Sequence, residues 1–325
     1  MRLARPRALS LALLLALVVG TSGGPTGTAA PATVGLGALE RPATPDEARE
    51  ERPSRRETRP GSRDVSAYRG LGTWIDIYDV RAWAHPEATV RAMRDRGVRT
   101  LYLQTSNFSR GRPLVYRSAV LRFLDAGARH GVRVVAWYLP GFADVGADLR
   151  RAASAIRLRT PGGNRFDSFA LDIESPEVRR QSVRTRRLLS LSARIRLVAG
   201  PGYPLGAIVP SPHRVRLDPW YWPSFPYRRL AGLYDVFLPM TYFTWRVSGR
   251  QGAAWYTGQN IGILRQEIEG LDVPIHVIGG IASDASRQET RGFVDILLSR
   301  RALGGSYYTF PMVRPEQWSL LRGIG

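Results

Sequence analysis

The sequence predicts a single (β/α)8 barrel, the TIM-barrel class of α/β protein, and three observations carry that expectation. First, from Leu71 to Leu321 period-2 apolar stretches take turns with segments of helical periodicity, giving eight strand–helix units over roughly 255 residues. Second, strict alternation of this kind implies parallel strands, and eight units of this size are what a closed barrel needs. Third, the rival architecture, an open doubly wound sheet, usually places a Gly-rich phosphate turn after its first strand. Here that turn reads Asp79-Val80-Arg81-Ala82 and holds no glycine. No second domain and no repeat beyond the βα rhythm is indicated.

The elements follow in order. Leu71 to Tyr78 alternates as a first strand, and Pro86 opens a helix to Arg96, proline being well tolerated in a first helical turn. Val98 to Gln104 is a strand, followed by a helix from Ser118 to His130 that Gly131 ends. Val132 to Tyr138 and the helix Val145 to Arg157 form the third unit. The fourth strand is Phe166 to Glu174, and Pro176 starts an Arg-rich helix reaching Arg194. Leu205 to Pro210 is a short fifth strand, followed by a Pro- and aromatic-rich loop and a helix from Tyr227 to Leu233. Three units remain: the strand Asp235 to Tyr242 with the helix Thr257 to Glu269, Val273 to Gly279 with Ser286 to Arg300, and Ser306 to Phe310 with Pro315 to Leu321.

The barrel domain is expected to span 67–325, behind two segments of different character. Arg2, Arg5 and Arg7 precede an apolar run from Leu9 to Val19, too short for a membrane span and suited to an export signal over 1–30. Cleavage is expected near Ala29-Ala30, with an uncleaved N-terminal anchor as the alternative. Residues 31–66 are rich in Pro, Arg and small residues without apolar periodicity, the composition of a disordered spacer. A secreted or envelope-associated protein is therefore expected. The chain has no cysteine, which excludes disulfides, thiolate metal sites and a lipidated N-terminal Cys.

The formal net charge is +20 and every basic residue is Arg, ten of the 47 lying before Ser66. The excess thus sits on the folded part. An anionic cell-envelope surface is one partner it suits; a solvated face built from Arg is the plainer reading. Nucleic acid is not expected, because no Arg run is interleaved with a nucleic-acid motif. A monomer is expected. The four histidines, His85, His130, His213 and His276, show no metal-ligand spacing, and no P-loop, G-x-S-x-G elbow or H-E-x-x-H is present. No metal and no cofactor is expected.

In such a barrel the site gathers at the C-terminal ends of the strands. Strand one brings Asp76 and Tyr78 there, strand two Gln104 and Asn107, and strand three Trp137 and Tyr138. Strand four brings Asp172 and Glu174, strand six Met240 and Tyr242 with Trp245 behind, and strand eight Tyr307 or Tyr308. The loop after strand five adds Trp220-Tyr221-Trp222. Carboxylates, an amide and a set of aromatics suit a polysaccharide cleft, since aromatic faces stack on sugar rings and carboxylates serve the glycosidic oxygen.

Asp172 and Glu174 stand two residues apart at the end of an apolar strand, so both leave the same face. Like charge and burial would raise the pKa of Glu174 and let it act as a general acid, while Asp172 stays ionised and stabilises developing positive charge. Alternatively the pair holds a metal ion or an Arg, or Glu174 caps the helix expected at Pro176.

Asp167-Ser168-Phe169-Ala170-Leu171-Asp172-Ile173-Glu174 resembles the D-x-x-D-x-D-x-E strand-four signature of family 18 glycoside hydrolases, the chitinase-like enzymes. Three of the four acids match, and Ala170 replaces the second. Pro239-Met240-Thr241-Tyr242 resembles the strand-six Met-x-Tyr motif of the same family, with Phe243 where an acid usually follows. The last strand reads Tyr307-Tyr308-Thr309 where the family commonly places a tryptophan.

The resemblance implies an exported hydrolase of an N-acetylhexosamine polymer, chitin-like or peptidoglycan-like. Glu174 is then the acid, Asp172 the residue that orients the substrate's acetamido group, and Tyr242 a hydrogen-bond donor to it. The acetamide itself would be the nucleophile. A carbohydrate-binding barrel without activity, and a two-carboxylate hydrolase of an anionic polysaccharide using Asp76 or Asp172, are the other readings.

Overall fold

The computed structural model describes residues 63–218 and 220–325. The expected export signal and all but the last few residues of the spacer lie outside the described residues. The described chain opens at Arg63, whose guanidinium pairs with Asp235 at 2.8 Å, and a 3-10 turn at Ser66–Tyr68 leads into the barrel.

Eight parallel strands form one sheet in the order β6-β5-β4-β3-β2-β1-β8-β7. They are β1 (Gly70–Ile75), β2 (Thr100–Asn107), β3 (Arg133–Leu139), β4 (Ser168–Asp172), β5 (Leu205–Val209), β6 (Val236–Pro239), β7 (His276–Ile281) and β8 (Gly304–Tyr308). Parallel bridges Phe237–Ile275 and Met240–Ile278 join β6 to β7 and close the ring. The expected (β/α)8 barrel is the fold.

Ten helices lie among the described residues. They are α1 (Val80–Ala84), α2 (Pro86–Asp95), α3 (Arg117–His130), α4 (Val145–Arg157), α5 (Gln181–Ala199), α6 (Pro212–Leu217), α7 (Tyr227–Ala231), α8 (Gly249–Glu267), α9 (Arg287–Ser299) and α10 (Pro315–Leu321). Outward strand residues such as Leu101, Leu103, Val134, Phe169, Leu171, Leu205 and Val277 pack beneath these helices, all of them buried.

The inward face carries a second core of Tyr68, Trp74, Tyr102, Val135, Trp137, Ala170, Ile208, Val236, Leu238, Met240 and Ile278. Its bulk is aromatic, with Trp74 stacked on Tyr102 at 4.2 Å and edge-on to Trp137 at 5.7 Å. Rings of that size fit because neighbouring inward positions are small. A Cβ at Gly72 would come within 2.6 Å of the Tyr102 ring, and one at Gly206 within 2.6 Å of the Tyr68 hydroxyl. Tyr68 plugs the floor, sharing a 2.5 Å hydrogen bond with Ser168 Oγ. His276 is buried between the Tyr68 carbonyl (2.8 Å) and Ser306 Oγ (3.0 Å), the structural role expected of it.

Several boundaries differ from expectation. The alternating pattern runs past the rim in β1, β4, β6 and β8, but the strands end at Ile75, Asp172, Pro239 and Tyr308. Asp76, Tyr78, Glu174 and Tyr242 therefore sit on the loops that leave the strands. Helix α5 begins at Gln181 instead of Pro176, leaving 173–180 as an irregular segment at the mouth. Glu174 accordingly caps no helix. Helix α8 starts at Gly249, eight residues before the expected Thr257. Part of the expected loop after β5 is the short helix α6, with Ser211 accepting from Arg214 N at its cap and Pro212 in its first turn.

Candidate active site

Asp172 is the last residue of β4 and faces the barrel interior at 4% exposure. The extended path continues one residue further, Ile173 N donating to Ile208 O at 2.8 Å, and this carries half-buried Glu174 onto the rim above Asp172. Asp172 Oδ1 is buried without a hydrogen-bond partner. The reason lies two residues earlier on the same face, where Ala170 stands, paired in register with Trp137 and Gly206, and offers no donor. Asp167, the first acid of the strand, lies at the opposite end and serves the fold, pairing with Arg133 at 2.8 Å and accepting from Val134 N.

Burial pushes the Glu174 carboxyl up to about 7. Asp172 is raised as well, first through burial and then through the charge of Glu174. The two acids therefore share protons near neutral pH as a coupled pair. The expectation that Asp172 stays ionised is corrected for the free protein, where burial and the charge of Glu174 favour its protonated form. An N–H donor brought to Oδ1 would favour its ionised form.

Tyr242 completes this side of the mouth. Its backbone occupies the left-handed region (φ 39°), a strained conformation for a residue with a side chain. Thr241 holds the turn, its amide and its hydroxyl both donating to Ile278 O. The Tyr242 hydroxyl is kept protonated by burial and by the nearby charges of Glu174 and Asp172. Phe243 turns the other way, between Phe293 and Tyr307 in the layer beneath α9. Trp245, 42% exposed, lies with its ring 6.4 Å from that of Tyr242 and donates Nε1–H to Asp284.

The other sequence-derived residues divide by the pleat. Gln104 and Trp137 face inward below the mouth, and Gln104 Nε2 and Trp137 Nε1 are buried without partners. Gln104 Oε1 accepts from Ile77 N, which fixes the loop carrying Asp76. Met240 lies in the inner core and Tyr78 on the outer rim under Arg110. Asn107 is taken up by a local turn, accepting from Ser109.

Tyr138 and Tyr307 do not reach the cleft. Tyr138 points outward and donates to Asp148 at 2.5 Å, and Tyr307 packs on Phe293, because each is the outward partner of an inward neighbour. The inward tyrosine of β8 is Tyr308, whose hydroxyl donates to Asp76 Oδ2 at 2.7 Å.

Trp222 is likewise removed from the cleft. It is buried, with Arg184 stacked over its ring at 4.0 Å and Nε1 bonded to Thr185. Trp220 stands 86% exposed on the same loop. The residue between them is the one that meets the acids, Tyr221 OH donating to Glu174 O at 2.8 Å. Asp79 and Arg184 were not expected at the site, whereas Tyr221 was placed in its aromatic loop and Tyr308 was one of two candidates from the last strand. Period-2 parity separates Tyr308 from Tyr307 once the last strand is placed; no sequence signal marks Arg184.

No family model matches this sequence, and no curated protein sequence does. Solved structures do resemble it. An endo-β-1,4-mannanase from Thermotoga petrophila superposes with a TM-score of 0.62 at 9% identity, over 79% of this chain and 76% of that one. A family GH18 chitinase from Cycas revoluta, in complex with allosamidin, gives 0.56 at 12%, over 78% and 99%. The spore cortex-lytic enzyme of Bacillus cereus gives 0.57 at 9%, over 78% and 74%. The chain shares their barrel fold. At these identities the likeness speaks for architecture, and the chemistry must be argued from the mouth itself.

Proposed function

We propose that the protein is a glycoside hydrolase that cleaves an N-acetylhexosamine polysaccharide, chitin-like or peptidoglycan-like, with Glu174 as general acid. The observation that carries this reading is the pair of buried Asp172 and half-buried Glu174 where β4 ends, with Glu174 poised to hold a proton near neutral pH and the Tyr242 hydroxyl within electrostatic reach of both. A carboxyl of that kind, at the C-terminal face of a barrel, suits protonation of a glycosidic oxygen.

In this reading Glu174 gives its proton to the leaving oxygen as the C1–O bond breaks. The carbonyl oxygen of the substrate's own acetamido group closes on C1, forming a cyclic oxazolinium ion. Asp172 releases its proton to solvent as the acetamido N–H comes to Oδ1, so that it accepts that hydrogen bond as an anion beside the cation it stabilises, and the Tyr242 hydroxyl donates to the acetamido oxygen. Water then adds to C1, giving its proton to the Glu174 carboxylate, and the ring opens with configuration retained. Asp172's unpartnered oxygen supports this assignment, since it is an acceptor left for a donor that the protein does not supply. The chitinase and cortex-lytic neighbours support the substrate class. The N-terminal signal-like segment supports export, testable by locating the full-length protein in cell, envelope and medium fractions.

The test is release of reducing ends from chitooligosaccharides and purified peptidoglycan by wild type and Glu174→Gln. Turnover that survives Glu174→Gln would sink the assignment. Inhibition of wild type by a thiazoline mimic of the cyclic ion separates acetamide assistance from a two-carboxylate mechanism. A second reading has its own observation: Ala170 leaves Asp172 without the carboxyl neighbour of the resembling signature, which suits a barrel that binds glycan without cleaving it. Binding without turnover by wild type would favour it.

A further inference from the structure

The mouth holds more acidity than the β4 pair. On the loop leaving β1, Asp76 and Asp79 fold over one another: Asp79 Oδ2 accepts from Asp76 N at 3.2 Å, and Asp76 Oδ1 accepts from Tyr78 N at 2.7 Å. Tyr308 bridges the two sides, bonding Asp76 Oδ2 while lying within electrostatic reach of Tyr242, which in turn feels Asp172 and Glu174. Burial and the charge of Asp76 push the Asp79 carboxyl up to about 7.

None of these four carboxylates makes an ion pair among the described residues, in a protein whose net charge is +20. Elsewhere Asp235, Asp167, Glu87 and Asp295 are each matched by Arg at 2.6–2.8 Å. The mouth is thus an acidic recess in a basic molecule. Two buried side chains aim unpartnered atoms into it: Asp172 Oδ1, an acceptor at 4% exposure, and Gln104 Nε2, a donor on a fully buried residue that braces the Asp76 loop. Among the described residues no three His, Asp or Glu side chains converge as a metal cage would require. The acids are spread in pairs, a spacing that suits cationic groups carried along a polymer.

We propose that the mouth takes a partly de-N-acetylated hexosamine glycan, holding the free ammonium of one ring at Asp76 and Asp79 while the acetamido group of a neighbouring ring sits at Asp172. This rests on the glycosidase reading for the second half of the statement and on the unpaired carboxylates for the first. An ammonium brings three donors and a positive charge to two carboxylates that no Arg pairs with among the described residues. A fully acetylated ring brings a neutral amide, which offers no charge to draw the proton off Asp79. Gln104 Nε2 supplies a donor for a sugar oxygen between them.

The test separates binding from turnover. Glu174→Gln, which keeps Asp76 and Asp79, is titrated calorimetrically with chitooligosaccharides of equal length that are fully or partly N-acetylated. The partly acetylated oligomer is expected to bind at least about tenfold more tightly at low ionic strength, the gap narrowing as salt approaches ~0.15 M. Adding Asp79→Asn is expected to remove most of that gap. Wild type is then given one chitosan before and after chemical re-N-acetylation, a comparison within a single unaltered protein that survives any folding defect of the variant. Equal or tighter binding of the fully acetylated oligomer overturns the ammonium site. Glu174-dependent turnover without preference overturns it too, while leaving the glycosidase reading intact. Preferential binding with no turnover of either polymer upholds the ammonium site and fails the glycosidase.

Discussion

At the scale of single residues the proposed chemistry turns on Glu174, where burial favours the protonated carboxyl and the side chain stays half-exposed. Its folded pKa of about 7 against an ordinary 4.5 has two consequences of known sign. As an acid it is active only when protonated, so turnover is expected to fall as pH rises through about 7, and Glu174→Gln to lose ~10²–10⁴-fold in rate; a pH–rate profile and the variant's rate check both. The folded chain also binds this proton more tightly than the unfolded chain, so its stabilising contribution is present below 4.5 and lost as pH rises through 7. Glu174→Gln should therefore unfold ~2–4 °C higher than wild type at pH 8 and at nearly the same temperature at pH 5. Ala170→Asp would place a donor beside Asp172 Oδ1, but among Trp137, Gly206 and the inner aromatic core. The expected outcome is a loss of ~2–4 kcal/mol in denaturant unfolding, desolvation outweighing the one new hydrogen bond.

At the scale of elements, the loops after β4 and β5 are held as one piece by Arg184 of α5. Arg184 is 3% exposed, stacks on Trp222, and donates to Ser175 O at 3.4 Å and to Tyr221 O. Tyr221 in turn bonds the carbonyl of Glu174. The guanidinium thus positions the acid through backbone, with no contact to a reacting atom. Arg184→Ala strands two carbonyls and opens a void under Trp222, and is expected to cost ~2–4 kcal/mol of stability. Tyr221→Phe, which keeps the packing, should retain most of that stability yet lower turnover about tenfold by freeing Glu174's main chain. Thermal melts and kcat on the two variants distinguish packing from positioning.

At the scale of the molecule, the barrel interior is a stack of aromatics over a polar floor, and the floor sets the response to acid. His276, fully buried under Tyr68, has its pKa lowered to about 4 from 6.5 by desolvation. The unfolded chain takes up that proton first, so stability is expected to fall by on the order of 3 kcal/mol as pH drops from 6.5 to 4, read as a shift in urea midpoint. His276→Gln, still able to bond the Tyr68 carbonyl and Ser306, should flatten that limb.

Strand number, strand order and the placing of Asp172 and Glu174 at the end of the fourth strand were all legible in the sequence, because alternation and βα rhythm report burial directly. Strand ends were not. Asp76, Glu174 and Tyr242 continue the alternating pattern into loops, since sequence carries no mark of where a closing barrel parts from its neighbours. Parity was also lost wherever a register was one residue uncertain, which is why Tyr138 was expected in the mouth beside Trp137 and why Tyr307 and Tyr308 were left as alternatives. What the linear chain determined by itself is the barrel and the presence of two acids at its rim. Tertiary structure alone decided that Ala170 leaves Asp172 without a partner, that Asp76 and Asp79 form a second unpaired couple, and that Arg184 reaches the acid through Tyr221. Those are contacts between residues distant in sequence, and no local pattern encodes which side chains a closed barrel will bring together.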